Sequence, residues 1–197
     1  MSNQQNEKIS SMHLSYEKNF GYDLLDGKLH EDAEFEPIVF RITGILPDDG
    51  FEILRLNGAF LNRTRLFAAV DALDGDMAAV AELICDSDDG SLLPQYANKD
   101  GRKACILDRL WVDPEYRGQG AASLVLSHLG PILRKVSPYM AGIYTRVAPW
   151  ELAEQPEKFR AKQAELLRFY GKFGFRQIEG SECIWRPVQN PPAQKSF

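Results

Sequence analysis

The chain has 197 residues, with 23 Lys+Arg against 28 Asp+Glu, enough for one domain with a full hydrophobic core. Hydrophobic residues make up 44% and charged residues 26%, which excludes a wholly disordered or fibrous chain, and no apolar run approaches the roughly 18 residues of a membrane span. The net charge of −5 argues against nucleic-acid binding through bulk electrostatics.

Residues 1–34 are polar, lack the apolar stretch of a signal peptide, and read as an extension that is partly disordered or packs late onto the domain. Val, Ile and Phe between 35 and 43 predict a strand. Pro47-Asp48-Asp49-Gly50 then opens a predicted helix, with Asp49 as N-cap, Glu52 three residues on, and Phe51, Leu54, Gly58 and Leu61 at helical spacing. Two strands near 65–73 and 77–85, joined by Asp74-Gly75, read as a hairpin. The polar stretch 86–102 follows. Its Asp86-Ser-Asp88-Asp89-Gly90 has the wrong acidic spacing for a calcium loop and reads as a solvated turn.

Residues 104–112 form an apolar run that suggests a central strand covered on both faces. After a turn at Asp113-Pro114, a helix starts near Gly120 and carries Ala122, Val125, Leu126 and Leu129 on one stripe. Gly130-Pro131 should break or kink it, with Pro131 opening a short second segment to Val136. Residues 141–147 read as a strand joined to 104–112 by a right-handed parallel crossover. A loop at 148–158 holds Trp150. A helix over 158–173 then presents Leu166, Phe169, Tyr170 and Phe173 on one face, with Gly174 as its terminating glycine. Residues 175–186 form the last strand or strand pair, and 187–197 is a proline-rich tail.

Charge divides along the chain. Residues 1–100 hold 8 Lys+Arg and 19 Asp+Glu (−11), and residues 101–197 hold 15 and 9 (+6). Either the fold has two differently charged faces, or the second half meets an anion and the first a cation. Cys85, Cys105 and Cys183 are too few for a disulfide framework and sit in apolar stretches, so they read as reduced core thiols of a cytoplasmic protein. His13, His30 and His128 are far apart, and no metal-ligand spacing occurs; no metal is expected.

The most informative stretch is Leu110-Trp-Val-Asp-Pro-Glu-Tyr-Arg-Gly-Gln-Gly-Ala-Ala-Ser123, a strand end, a turn and a glycine-bearing loop that runs into a helix. Glycines there leave successive backbone N–H groups uncovered at a helix N-terminus, a site for an anion and for a phosphate in particular, and Arg117 adds a cation. A P-loop is excluded because no Gly-Lys-Ser/Thr follows. A dinucleotide fingerprint would need a third glycine where Ser123 stands and a carboxylate about 20 residues on, and residues 137–150 contain none.

Residues 110–122, Leu-x-Val-x-Pro-x-Tyr-Arg-Gly-x-Gly-x-Ala, resemble the acyl-CoA loop of the GNAT superfamily of N-acetyltransferases, and Arg117-Gly-Gln-Gly120-Ala-Ala122 matches its Arg/Gln-x-x-Gly-x-Gly/Ala pattern. Downstream, Phe169-Tyr170-Gly-Lys-Phe-Gly174-Phe175 is similar to that superfamily's Tyr-x-Lys-x-Gly-Phe signature. The resemblance implies an α/β acyl-CoA N-acyltransferase fold: a central, mostly antiparallel sheet with one parallel crossover pair and flanking helices, over residues 35–186. It implies transfer of an acetyl group from acetyl-CoA to a primary amine, or, as the alternative, a non-catalytic acyl-CoA-binding module that regulates a partner. It also implies roles for residues. The backbone at Leu110, Trp111 and Val112 would bond the pantetheine arm. Amides of Arg117, Gly118, Gln119, Gly120, Ala121 and Ala122 would bind the pyrophosphate. Gln163 would stand where the superfamily commonly places an asparagine against the cofactor arm. Tyr170 would protonate the departing thiolate, or be a core aromatic.

By alternation, Ile106, Asp108, Leu110 and Val112 share one strand face, and Cys105, Leu107, Arg109 and Trp111 the other. Asp108 is then an acid among apolar neighbours, a candidate base or a structural carboxylate, with Glu82 on the predicted hairpin in reserve. The acceptor is an unspecified amine on a small molecule, peptide or protein. No nucleic acid or membrane is expected as partner, and a homodimer remains open.

Overall fold

The computed structural model describes residues 12–19, 37–48, 50–64, 66 and 75–188. Its centre is a seven-stranded sheet in the order β1-β2-β3-β4-β5-β7-β6. The strands are β1 (His13–Asn19), β2 (Ile38–Ile45), β3 (Glu52–Asn62), β4 (Lys103–Val112), β5 (Met140–Arg146), β6 (Arg176–Gln177) and β7 (Cys183–Pro187). Every neighbouring pair is antiparallel except β4–β5, which is parallel. Among the described residues three α-helices of full length flank the sheet: α1 (Gly75–Ile84), α2 (Ala121–Val136) and α3 (Pro156–Gly171).

The sheet divides two cores. On one face, α2 buries Val125, Leu126, Leu129 and Leu133 against Leu54, Leu56, Phe60, Cys105, Leu107 and Ile143, and α3 packs Leu166, Phe169 and Tyr170 onto the same cluster. Each fully buried aliphatic side chain there contributes about 1.5–3 kcal/mol. On the other face, α1 sets Met77, Val80, Ala81 and Ile84 on Ala59, Leu61, Ile106 and Tyr144. The expected parallel crossover unit, β4–α2–β5, is therefore present, and the mixed α/β architecture is the acyl-CoA N-acyltransferase fold.

Three local expectations are corrected, and a fourth falls almost wholly outside the described residues. Residues 51–61 are strand β3, not a helix: Ile53, Leu54, Leu56, Ala59, Phe60 and Leu61 are all at 0% exposure because the strand is covered on both faces, and dense burial mimics helical spacing. Gly50, at φ +68°, turns the chain from β2 into β3. Residues 77–85 are mostly helix α1, not a strand. Their Ala, Met, Glu and Leu favour helix, and the buried set Met77, Val80, Ala81, Ile84 has a 3–4 residue period. The strand expected at 65–73 lies outside the described residues except for buried Leu66. Finally, α2 runs unbroken through Pro131; its buried stripe continues from Leu129 to Leu133, so packing holds the helix across the lost hydrogen bond.

Residues 13–19, inside the segment expected as an extension, form β1, which pairs with β2 from His13–Ile45 to Asn19–Val39. Among the remaining residues of 1–34 only Met12 is described; it is buried, its sulfur beside Gly44. The Asp86–Asp89 turn uses its own carboxylates: Asp86 accepts from the Asp88 N–H (2.8 Å) and Asp89 from the Ser91 N–H (2.7 Å). All three cysteines are buried and unpaired.

Candidate functional site

The site begins with an irregularity in β4. Leu107 faces Gly58 and Leu110 faces Leu56, so β4 places two residues, Asp108 and Arg109, opposite the single residue Asn57. That is a β-bulge, and it moves every later side chain to the other face. Leu110 and Val112 consequently pack with the cluster of Cys105 and Leu107, while Ile106 belongs to the opposite cluster. Simple alternation had grouped Asp108 with Leu110 and Val112; the bulge separates them. Trp111 faces Arg55 across the strand pair, with that guanidinium 5.9 Å from the indole ring.

The same position ends the pairing of β4 with β5. Parallel partners run from Lys103–Met140 to Leu107–Thr145 and stop there, although β4 continues to Val112. The two strands part, and a cleft of about 510 Å³ opens along the free stretch of β4. Its walls are Arg109, Leu110, Trp111 and Val112 on one side, residues 148–151 and α3 residues Lys162, Glu165, Leu166, Phe169 and Tyr170 on the other. Side chains of alternate direction along β4 all reach the wall, so the cleft follows the strand edge between the two faces.

At one end lies the loop into α2. Pro114–Tyr116 forms a single 3₁₀ turn, with Asp113 capping the Glu115 N–H at 2.9 Å. Gly118 (φ +75°) and Gly120 (φ +98°) then adopt left-handed conformations. A Cβ at either glycine would meet nothing within 4 Å, so both look onto open space. The first helical bond is from the Leu124 N–H to the Gly120 carbonyl (2.9 Å), which leaves the amides of Ala121, Ala122 and Ser123 without an acceptor further back in the helix. Uncovered amides, two glycines and the positive end of a 16-residue helix make an anion cradle, and a phosphate-bearing cofactor fits it.

Arg117 donates from Nε to the Val112 carbonyl (3.1 Å) and makes a two-pronged ion pair with Glu151, at 2.8 and 3.2 Å. One of the three backbone segments expected to bond the cofactor arm is thus already an acceptor for Arg117. Gln119 does not line the cleft; its side-chain amide donates to the Glu115 carbonyl at 2.7 Å and braces the loop.

At the other end, Tyr170 packs edge-on to Phe169 (5.7 Å) and Phe175 (5.4 Å) and lines the cleft. Burial pushes its phenol up to about 12, so it stays protonated throughout the range in which amines titrate.

Among the expected residues, the structure brings Leu110, Trp111, Val112, Arg117, Gly118, Gly120, Ala121, Ala122 and Tyr170 to one cleft. Asp108 sits half-buried on the bulge where β4 and β5 part, outside the cleft wall. Glu82 is exposed on α1 rather than on a hairpin strand. Gln163 does not reach the cleft: its amide donates to the Val147 carbonyl at 2.8 Å, holding the end of β5 to α3. Its neighbour Lys162 lines the cleft instead, as does Glu151, and no motif marked either. Arg146 forms a further cluster beside the mouth, bonded to Glu182 (2.8 Å) and Asp76 (3.2 Å) with its guanidinium 5.0 Å from the Trp150 ring.

A family model described as an acetyltransferase (GNAT) domain matches residues 62–177. No curated protein matches the chain in sequence. Solved structures similar to it include a KacTA–DNA complex (16% identity, 89% of this chain and 94% of that one, TM-score 0.43). Others are AtaTR bound with AcCoA (12%, 89% and 92%, 0.42) and AtaT complexed with acetyl-methionyl-tRNAfMet (12%, 89% and 95%, 0.42).

Proposed function

The chain belongs to the GNAT acetyltransferase family, and on that premise we propose that it moves an acetyl group from acetyl-CoA to a primary amine by direct attack. The observation that carries this reading is the continuity of one cleft from the glycine cradle at α2, along the unpaired edge of β4, to Tyr170.

Acetyl-CoA supplies the activated thioester; the chain supplies binding and proton control. Amides of Gly118, Gly120, Ala121 and Ala122 hold the pyrophosphate, and the backbone of Leu110, Trp111 and Val112 holds the pantetheine arm as an added strand would. Backbone N–H groups along the parted strand polarise the carbonyl. A neutral amine forms the C–N bond as the C–S bond breaks, and Tyr170 Oη donates toward the departing sulfur. The amine's proton passes through water to Asp108, which sits beside the cleft wall. Gln163 acts by fixing the end of β5 rather than by touching the cofactor.

The proposed domain spans 35–186, with 1–34 as an extension that contributes β1 and 187–197 as a tail whose first two residues, Pro187 and Val188, still join β7 and the core. Buried, unpaired cysteines support a cytoplasmic location. No helix among the described residues is long and apolar enough to cross a membrane. The acceptor class stays broad. A net charge of −5 averages over the whole chain, while Arg41, Arg55 and Arg109 are all exposed, and Arg109 lines the cleft, so an amine carried on a nucleic acid belongs in the acceptor panel beside small amines and peptides.

Calorimetric titration with acetyl-CoA, followed by thiol release across that panel, tests the proposal. Binding with thiol release is expected. Binding without release from any acceptor would instead make the chain a non-catalytic acyl-CoA module, and absence of binding would reject both readings.

A further inference from the structure

Two of the three cations that line the cleft already hold carboxylates that also line it. Arg117, on the loop before α2, grips Glu151 from 34 residues away. Lys162, on α3, places Nζ 2.9 Å from both oxygens of Glu165. The Glu151 carboxyl is held below its usual range first by the Arg117 hydrogen bond and then by the charges of Arg117 and Lys162. Charge therefore alternates across the mouth: Arg117, Glu151, Lys162, Glu165.

An incoming cofactor changes that balance. The charged cleft residues are Arg109, Arg117 and Lys162 against Glu151 and Glu165, a sum of only +1. A pyrophosphate and a terminal phosphomonoester bring about four negative charges to the same space. Glu151 is 71% exposed and Arg117 46%, so their ion pair adds little stability and exchanges readily. A phosphate offers the guanidinium the same forked geometry with greater charge.

We propose that Glu151 is an exchangeable counter-ion, which occupies Arg117 until the cofactor's phosphates displace it. This rests on the reading that the cleft takes acetyl-CoA. The displaced carboxylate stays near the phosphates and opposes them, so its charge sets the cofactor affinity of the wild type.

Titration calorimetry of wild type and Glu151→Gln with CoA, dephospho-CoA and acetyl-pantetheine tests it. The variant should bind CoA about three- to tenfold more tightly at low ionic strength, with the difference shrinking toward none near 0.5 M salt. Acetyl-pantetheine, which lacks phosphates, should bind both proteins equally. Weaker binding of CoA and acetyl-pantetheine alike would overturn the proposal and make Glu151 a strap that holds the loop in place. An unchanged CoA affinity would overturn it too. Failure of wild type to bind CoA at all would instead sink the proposed function, which separates the two ideas. Because the residue is exposed, equal melting temperatures check that the variant is folded.

Discussion

Replacing Tyr170 with phenylalanine removes one oxygen and leaves the ring contacts to Phe169 and Phe175 in place. No hydrogen bond of Tyr170 Oη is made within the described residues, so the fold should change by less than about 1 kcal/mol. The catalytic loss is set by acidity. A phenol near 12 giving its proton fully to a thiolate near 8.5 is uphill by about 5 kcal/mol. Donation therefore acts as a hydrogen bond that strengthens while the C–S bond breaks, worth about 1.5–3 kcal/mol to a charged acceptor. Turnover of Tyr170→Phe should then fall about 10- to 150-fold, with the CoA dissociation constant kept within about twofold. Thiol-release kinetics and calorimetry supply the two numbers. The sign of the pH dependence follows from the raised phenol: Tyr170 stays protonated as pH rises, so it imposes no falling limb on the wild-type rate below about pH 11. Unchanged turnover would refute the acid role, and an equal loss of cofactor affinity would make Tyr170 a packing residue.

Gly120→Val forces a β-branched residue to φ +98° and puts its side chain into the open space of the cradle; it should cost about 1–3 kcal/mol of stability and abolish CoA binding in calorimetry. Gly101→Ala should be worse for folding and irrelevant to the cradle: its Cβ would stand 2.5 Å from the Met140 carbonyl oxygen and closer still to the Ala141 backbone, a loss of about 3 kcal/mol or more in denaturant titration. Burial pushes the Cys85 and Cys183 thiols up to about 11, so few are thiolate at pH 8, and mass spectrometry after iodoacetamide should find label only when the protein is unfolded first.

The glycine-bearing loop before α2 was legible because it is written in residue types. Gly118 and Gly120 stand where only glycine adopts the backbone at low cost, and in the stripe that follows Val125, Leu126 and Leu129 bury as expected while Ala121 is buried in place of Ala122. Tyr170 was legible from the helical spacing of Leu166, Phe169 and Phe173. The bulge was not, because nothing in Ile106-Leu-Asp-Arg-Leu110 shows that the partner strand offers one residue against two. Grouping Leu110 and Val112 with Ile106 followed directly. Strand β3 and helix α1 were exchanged in kind for related reasons: burial on both sides hides a period of two, and Asp74-Gly75 suits a turn into a helix as well as a hairpin. At Gln163 the spacing was right and the partner wrong, since Val147 takes the amide.

The surplus residue in β4 has a consequence for how such a site is kept. Any substitution at 108 or 109 leaves the strand one residue longer than its partner, so the opening persists whatever side chains stand there. A deletion acts differently: losing one of the two would bring 108–112 back into step with β3, return the later side chains to plain alternation and let β5 continue alongside. The gap between β4 and β5 is held here as a count of residues, so it is vulnerable to a single codon lost in frame.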